Sequence, residues 1–188
     1  MAAGHKGIEV EWVDVDPDDR SVLEQLSGQS LVPVLVDGDE VVADSPVILE
    51  ILEERHPEPP LYPRDEARRA EVELFVDWFN RVWKRPPNLI ADELAKPDPD
   101  FARIAEWSAQ MASALDRFES LLAGRDYLFG EFGAADCIAF PFLKYPVFGV
   151  DDDDEEIFHH VLVDHMPLGE RYPRLDAWAR RVDEHPRA

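Results

Sequence analysis

LVPVLVDGDEVVA, residues 31–43, contains two short valine-rich runs on either side of Asp37-Gly38. Two such runs with Asp-Gly between them are typical of a β-hairpin. A type I′ turn needs positive φ at both central positions, and aspartate and glycine tolerate that conformation. The sequence therefore predicts two antiparallel strands joined by a tight turn at Asp37-Gly38.

The residues that follow the hairpin predict a helix. Ser45 stands where a helix N-cap belongs, and Pro46 at the first helical position already has a helical φ. Apolar residues then recur at spacings of three and four, as on one side of a helix. These are Val47, Ile48, Leu49, Ile51 and Leu52.

Val32-Pro33 and Asp44-Ser45 together resemble the glutathione-binding half of soluble glutathione S-transferases, whose N-terminal domain is glutaredoxin-like. In that family the proline is cis, and the residue before it pairs its backbone with the cysteinyl part of glutathione. The acidic-Ser pair holds the γ-glutamyl group. The resemblance thus implies glutathione binding at Val32, Pro33, Asp44 and Ser45, and the positive end of the helix would favour a carboxylate there. The alternative is that Asp44-Ser45 only caps a helix and Pro33 only interrupts a strand.

Upstream of the hairpin, residues Ile8–Val15 alternate apolar and acidic side chains, which predicts a strand with one covered face. Asp16–Asp19 predicts a helix-opening turn, followed by a short helix with Val22, Leu23 and Leu26 on its apolar side. Strand, helix, hairpin and helix in this order form the second half of a thioredoxin-like domain.

The family's first strand and first helix are not represented in this chain, and His5–Ile8 resembles the end of that helix. The family's Tyr, Ser or Cys at the glutathione thiolate lies after that first strand, so the resemblance assigns no catalytic residue. We expect the nucleotides upstream of Met1 to encode the missing elements in frame. The alternatives are that the predicted strands on either side of the missing one pair directly, or that another chain fills its place. We also expect no conjugating activity from the 188 residues alone.

HPEPPLYP, residues 56–63, has too many prolines for a helix or a central strand and predicts a linker. Beyond residue 63, apolar residues recur at the three- and four-residue spacing of a helix. One predicted stripe comprises Ala67, Ala70, Leu74, Phe75, Trp78, Phe79 and Val82, and is broken at Pro86-Pro87. A second comprises Phe101, Ile104, Ala105, Ser108, Met111, Ala112, Leu115, Phe118 and Leu122.

Gly133–Asp136 resembles the start of the family's buried helix, with glycine in place of the usual Ser or Thr cap. Pro141 should kink or interrupt this helix. Tyr172-Pro173 predicts the start of a terminal helix. The predicted fold is an incomplete thioredoxin-like domain at 1–55, a linker at 56–63 and an all-helical domain at 64–188.

Charge and composition exclude some classes of partner and indicate the cellular compartment. A formal net charge of -22 would repel nucleic-acid phosphates and anionic membranes, so we expect neither as a partner. No run approaches the roughly 20 apolar residues that span a bilayer. The single cysteine, Cys137, is compatible with a reducing compartment, and we expect a cytoplasmic protein.

Other candidate sites in the sequence are weaker than the hairpin. DDDDEE, residues 151–156, lacks the glycine and distal glutamate of a calcium loop. His160 and Asp164 do not supply the convergent ligands that zinc requires, so no metal site is predicted. Cys137 lies in an apolar stretch that favours packing over reactivity. We expect the tryptophans to lie in the core or at a domain interface. Trp83, with Lys84-Arg85, is also a candidate substrate contact.

The resemblance implies a homodimeric glutathione S-transferase-like protein that binds glutathione and conjugates or reduces a small electrophile. The alternative is a module that binds glutathione or dimerises without catalysis.

Overall fold

The computed structural model describes residues 1–16 and 19–188, and these form two compact units. The first unit comprises Met1–Pro63 with His185–Ala188, and the second comprises Arg64–Glu184. The predicted helical domain includes residues 185–188, but in the structure these residues pack on the first unit. The indole N–H of Trp12 donates to the carbonyl of Ala188 at 2.6 Å. A Cβ on Gly4 would lie only 2.4 Å from the carbonyl oxygen of Pro186, so the two backbones approach closely.

The predicted hairpin is present. Strand β1 is Val34–Asp37 and strand β2 is Glu40–Ala43, paired antiparallel with Val34 opposite Ala43. The turn is displaced by one residue, because its central residues are Gly38 and Asp39. Gly38 has φ 61, whereas Asp39 is not among the positive-φ residues. Positive φ at the first central position alone fits a type II′ turn and not the predicted type I′ turn.

The described part of the first unit also contains three helices: α1 is Ala2–His5, α2 is Ser21–Ser27 and α3 is Ser45–Arg55. The N-cap of α3 is Asp44, one residue earlier than predicted, and Ser45 and Pro46 lie in the first turn. At the other end of α3, the Arg55 guanidinium forms ion pairs with Asp37 and Glu40 of the hairpin.

The predicted strand at Ile8–Val15 is wrong. These residues form no helix or strand, and the sheet of the described residues contains only β1 and β2. A strand forms only where a neighbouring strand accepts and donates its backbone hydrogen bonds, and neither described strand pairs with these residues. Trp12 is 68% exposed in consequence. The predicted turn at Asp16–Asp19 includes Pro17 and Asp18, which lie outside the described residues.

Residues 56–63 form no helix or strand, yet they pack closely on the first unit. Leu61 and Tyr62 are buried. The segment that the sequence predicts as a linker therefore belongs to the first unit and contains buried residues.

The secondary-structure elements of the second unit are all helices or helical turns. Helices α4 and α5 are separated by a π-helical turn, and Pro86-Pro87 lie in the first turn of α5, where they begin the helix. Helix α7 continues past Pro141, so the predicted interruption is absent. The bounds are α4 Glu66–Trp78, π turn Phe79–Trp83, α5 Arg85–Leu94, α6 Phe101–Leu121, α7 Ala134–Leu143, α8 Tyr145–Phe148, α9 Ile157–Asp164, a 3-10 turn Gly169–Arg171 and α10 Pro173–Asp183.

The buried side of α4 differs from the predicted stripe. Leu74 and Val82 are 71% and 55% exposed. Leu74 lies two positions from Val72 and from Val76, which is roughly 200° around a helix, so it cannot share their side. Val72, Phe75, Val76, Phe79 and Trp83 form the buried side instead. Helix α6 follows its prediction at Ile104, Met111, Leu115 and Phe118, whereas Phe101 is exposed.

No helix among the described residues is long and apolar enough to cross a membrane.

Candidate functional site

The hairpin register brings the predicted site residues to one end of the sheet. Because Val34 lies opposite Ala43, Val32-Pro33 and Asp44-Ser45 are the segments that adjoin β1 and β2 at that end. The Val32–Pro33 peptide bond is cis, as the family resemblance implies. Val32 is 59% exposed and Ser45 is half-buried. The four residues are therefore close together in the fold and open to solvent.

Asp44 has an unusual backbone conformation. Its φ is 77, and no other non-glycine residue among those described has a positive φ. Such a conformation costs on the order of 1–3 kcal/mol, and these conformations cluster at ligand sites and switch regions. The fold holds Asp44 there directly before α3.

The side chain of Asp44 does not cap its helix. Elsewhere aspartate does: Asp65 accepts from the N–H of Arg68 at the start of α4. Asp100 accepts from two N–H groups at the start of α6. Since Asp44 does not occupy the first-turn N–H groups of α3, those groups and the Asp44 carboxylate are both available to a ligand.

The start of α3 therefore presents two complementary groups. The N–H groups of Ser45 and Val47 lie in the first turn, where a helix has no internal acceptors, and Pro46 between them has no N–H. These donors and the positive end of the helix dipole attract a carboxylate. The exposed carboxylate of Asp44 attracts an ammonium group. An α-amino acid head group carries both charged groups on one carbon atom.

A buried lysine fixes the far end of α3. Lys6 Nζ lies 2.7 Å from Glu53 Oε2 and also donates to the carbonyls of His56, at 2.5 Å, and Pro59, at 3.0 Å. The same Glu53 oxygen accepts from the N–H of Leu61 at 2.9 Å. Sequence reasoning missed this cluster. Its one signal is that Lys6 is among only four lysines in the chain.

Asp136 is the most buried carboxylate in the helical unit. It accepts hydrogen bonds from the backbone N–H groups of Leu128, at 3.1 Å, and Gly133, at 3.0 Å, and from the indole N–H of Trp178. Burial raises the pKa of Asp136 to about 6, although these hydrogen bonds lower it. Gly133 has no side chain, so only the Asp136 half of a capping box exists. Asp136 therefore has a structural role.

The acidic segment at 151–156 folds back on α9. His159 Nδ1 lies 2.8 Å from Asp154 Oδ2, and His160 Nε2 lies 2.7 Å from the Asp154 carbonyl. The His159 ring stacks on Tyr145, with centroids 4.4 Å apart. Burial, then the charges of the acidic segment, raise the pKa of Tyr145 to about 12. Over residues 1–16 and 19–188, no three His, Cys, Asp or Glu side chains converge as metal ligands would.

Comparisons with known proteins match both units. A sequence model of the glutathione S-transferase N-terminal domain matches residues 1–60, and one of the C-terminal domain matches residues 101–181. Glutathione S-transferase F10 of Arabidopsis thaliana is 30% identical over 155 residues, which are 76% of this chain and 72% of that protein.

Two further relatives bear on the fold and on the length of the chain. FtsZ-localized protein A of Caulobacter vibrioides is 31% identical over 146 residues, which are 69% of this chain and 62% of that protein. The chain therefore spans less than two thirds of that relative. The crystal structure of a glutathione S-transferase from Rhodospirillum rubrum F11 aligns with a TM-score of 0.75 and 26% identity, over 98% of this chain and 81% of that one.

The predicted fold class is confirmed, since a small thioredoxin-like unit precedes a helical unit as in these structures. The chain belongs to the glutathione S-transferase family.

Proposed function

We propose that the chain binds glutathione at the end of the hairpin, with the γ-glutamyl head group at the start of α3. The Asp44 carboxylate takes the ammonium of that group, and the N–H groups of α3 with the Ser45 hydroxyl take its carboxylate. The backbone of Val32, beside Pro33, pairs with the cysteinyl part.

One observation carries this proposal: Asp44 leaves the first turn of α3 uncapped while its own backbone is held at φ 77. If Asp44-Ser45 served only to start a helix, a side-chain cap like those of Asp65 and Asp100 would stabilise it by about 1 kcal/mol. Asp44 makes no such hydrogen bond, in contrast to Asp65 and Asp100, and it stands at the helix start where the family resemblance implies a ligand.

The leading function is transfer of glutathione to a small electrophile, or reduction of that electrophile, by a homodimer. No residue of this chain is assigned to activate the thiol.

A second candidate is a protein that binds glutathione or dimerises without catalysis. It is favoured by the relative named FtsZ-localized protein A, whose name describes a location in the cell and not a transfer reaction.

The first experiment compares glutathione with cysteinylglycine, which lacks the γ-glutamyl group, by calorimetry on the whole chain. We expect cysteinylglycine to bind at least about tenfold more weakly, because charge-assisted hydrogen bonds to both charges of the head group are lost. Equal affinities, or no binding of glutathione, would reject the site. With binding established, turnover of 1-chloro-2,4-dinitrobenzene with glutathione then separates transferase from non-catalytic binder.

A further inference from the structure

Residues 185–188, here called the tail, follow the C-cap of α10 in sequence and belong to the first unit. The tail lies so close to α1 that a Cβ on Gly4 would be 2.4 Å from the carbonyl oxygen of Pro186. At Ala188 the backbone carbonyl accepts the indole N–H of Trp12 at 2.6 Å. The tail is therefore held both by a close backbone contact in its middle and by a hydrogen bond at Ala188.

Two histidine rings lie next to each other where the tail begins. His5 is the last residue of α1 and His185 is the first of the tail, and their ring centroids are 5.9 Å apart with planes at 52°. Both residues are half-buried, whereas the charged residues beside His185 in sequence, Glu184 and Arg187, are exposed. Two neutral imidazoles can lie this close without penalty, but two imidazolium ions repel each other.

The surroundings of both rings disfavour protonation on balance. The side chain that follows His5 is the wholly buried Lys6, whose ammonium pairs with Glu53 of α3. Burial, followed by the charge of Lys6, lowers the pKa of His5 from its ordinary 6.5. A hydrogen bond to the Pro60 carbonyl and the charge of Glu53 oppose this change without cancelling it. Burial, then the charge of His5, lowers the pKa of His185 as well.

We propose that the tail is a pH-operated latch, which is closed on α1 while His5 and His185 are neutral and opens when they take up protons. In the open state both rings are in water and titrate near pH 6.5, so the open state binds more protons than the closed one. Closing is therefore fully favoured above pH 6.5 and weakens as the pH falls below it.

The number of titrating rings sets the steepness of this change. Each histidine that must lose its proton weakens closing by up to about tenfold per pH unit, and two together weaken it by up to about 100-fold. The latch is formed within the first unit and does not depend on glutathione binding.

The test follows the indole N–H resonance of Trp12 in the whole chain as the pH falls from about 7.5 to about 5. The resonance is identified by its absence in Trp12→Phe. It should start at the position of a hydrogen-bonded indole and move below pH 6.5 to that of an indole in water, because the bond to Ala188 is lost. Helix content, measured by circular dichroism over the same range, should stay constant. A movement that accompanies loss of helix content would be unfolding and would count against the latch.

Three histidine variants test the two rings. His185→Gln and His5→Gln each replace one titrating ring with a neutral polar side chain. Either change should reduce the pH dependence of closing from up to about 100-fold to up to about tenfold per pH unit. His165 is the matched control, since it is half-buried in the helical unit and burial lowers its pKa too. His165→Gln should leave the movement of the Trp12 resonance unchanged.

Gly4→Ala opens the latch without any change of charge. Alanine suits a helix better than glycine does, but its Cβ cannot lie 2.4 Å from the Pro186 oxygen, so the tail must shift. The Trp12 resonance should then lie at the open position even at about pH 7.5.

The outcome is decided even if one variant does not fold. If His5→Gln fails to fold, the comparison of His185→Gln with His165→Gln still tests the latch. A Trp12 resonance that does not move with pH, an unchanged pH dependence in His185→Gln, or a closed position in Gly4→Ala would overturn the proposal.

Discussion

The indole N–H of Trp178 donates to Asp136 Oδ1 at 2.7 Å, and both residues are almost wholly buried. This hydrogen bond joins the start of α7 to the middle of α10. Burial raises the pKa of Asp136 to about 6, above its ordinary 3.8. The folded protein therefore holds a proton on Asp136 more strongly than the unfolded chain does.

The first prediction is a pH dependence of stability. Because the folded pKa of Asp136 is the higher one, its contribution is fully present below pH 3.8 and is lost as pH rises through about 6. Other carboxylates titrate in this range too, so the comparison is with Asp136→Asn. We expect the free energy of unfolding in urea, measured for the natural protein relative to Asp136→Asn, to decrease as the pH rises from 4 to 7. A difference that is constant with pH would contradict the raised pKa.

A second prediction concerns Trp178→Phe, which keeps a ring in the core and removes the donor to Asp136. A hydrogen bond to a charged group contributes about 1.5–3 kcal/mol, so the free energy of unfolding at pH 7 should fall by that amount. Trp107→Phe is the control and should change it by less. Equal losses in the two variants would show that the hydrogen bond itself contributes little.

The third prediction concerns Lys6→Met in the first unit. The change leaves Glu53 and two carbonyls without the buried ammonium that they share. Removing one partner of a buried pair costs about 3–5 kcal/mol. Amide hydrogen exchange in α3 should accelerate accordingly. Arg69→Met breaks the exposed pair with Glu73 and should cost under about 1 kcal/mol, without effect on α3. Unchanged exchange in Lys6→Met would contradict the anchoring role.

The fourth prediction separates backbone strain from binding at Asp44. Glycine tolerates positive φ, so Asp44→Gly should keep the stability of the protein within about 1 kcal/mol or raise it. Glutathione affinity should fall at least about tenfold, because the carboxylate that faces the ammonium is gone. Asp39→Gly, in the hairpin turn, should leave affinity unchanged. If Asp44→Gly also binds normally, the aspartate is not a ligand residue.

Local chemistry made part of the structure predictable. The hairpin, the helix after it and the order of helices follow from valine runs, glycine and proline positions and apolar spacing. Errors of one residue at the turn and at the start of α3 arose because neighbouring residues, Asp37 or Asp39 and Asp44 or Ser45, suit the same role. Tertiary context decides between them.

Features that depend on distant partners were not predictable. The alternation of Ile8–Val15 is a strand pattern, but a strand also needs a neighbouring strand. The Lys6 cluster joins α1 to residues about 50 positions later, and the rings of His5 and His185 lie next to each other although nearly the whole chain separates them in sequence. The predicted site residues stand close together in the fold, and their binding of glutathione is still a prediction.

The most direct test of the account is glutathione affinity, measured by calorimetry, for the natural chain and for Ser45→Ala. Ser113→Ala, on the exposed side of α6, is the matched control. If the start of α3 holds the γ-glutamyl carboxylate, Ser45→Ala loses a charge-assisted hydrogen bond of roughly 1.5–3 kcal/mol, and affinity falls about tenfold or more. Ser113→Ala should bind as the natural chain does. Unchanged affinity in Ser45→Ala would contradict the account.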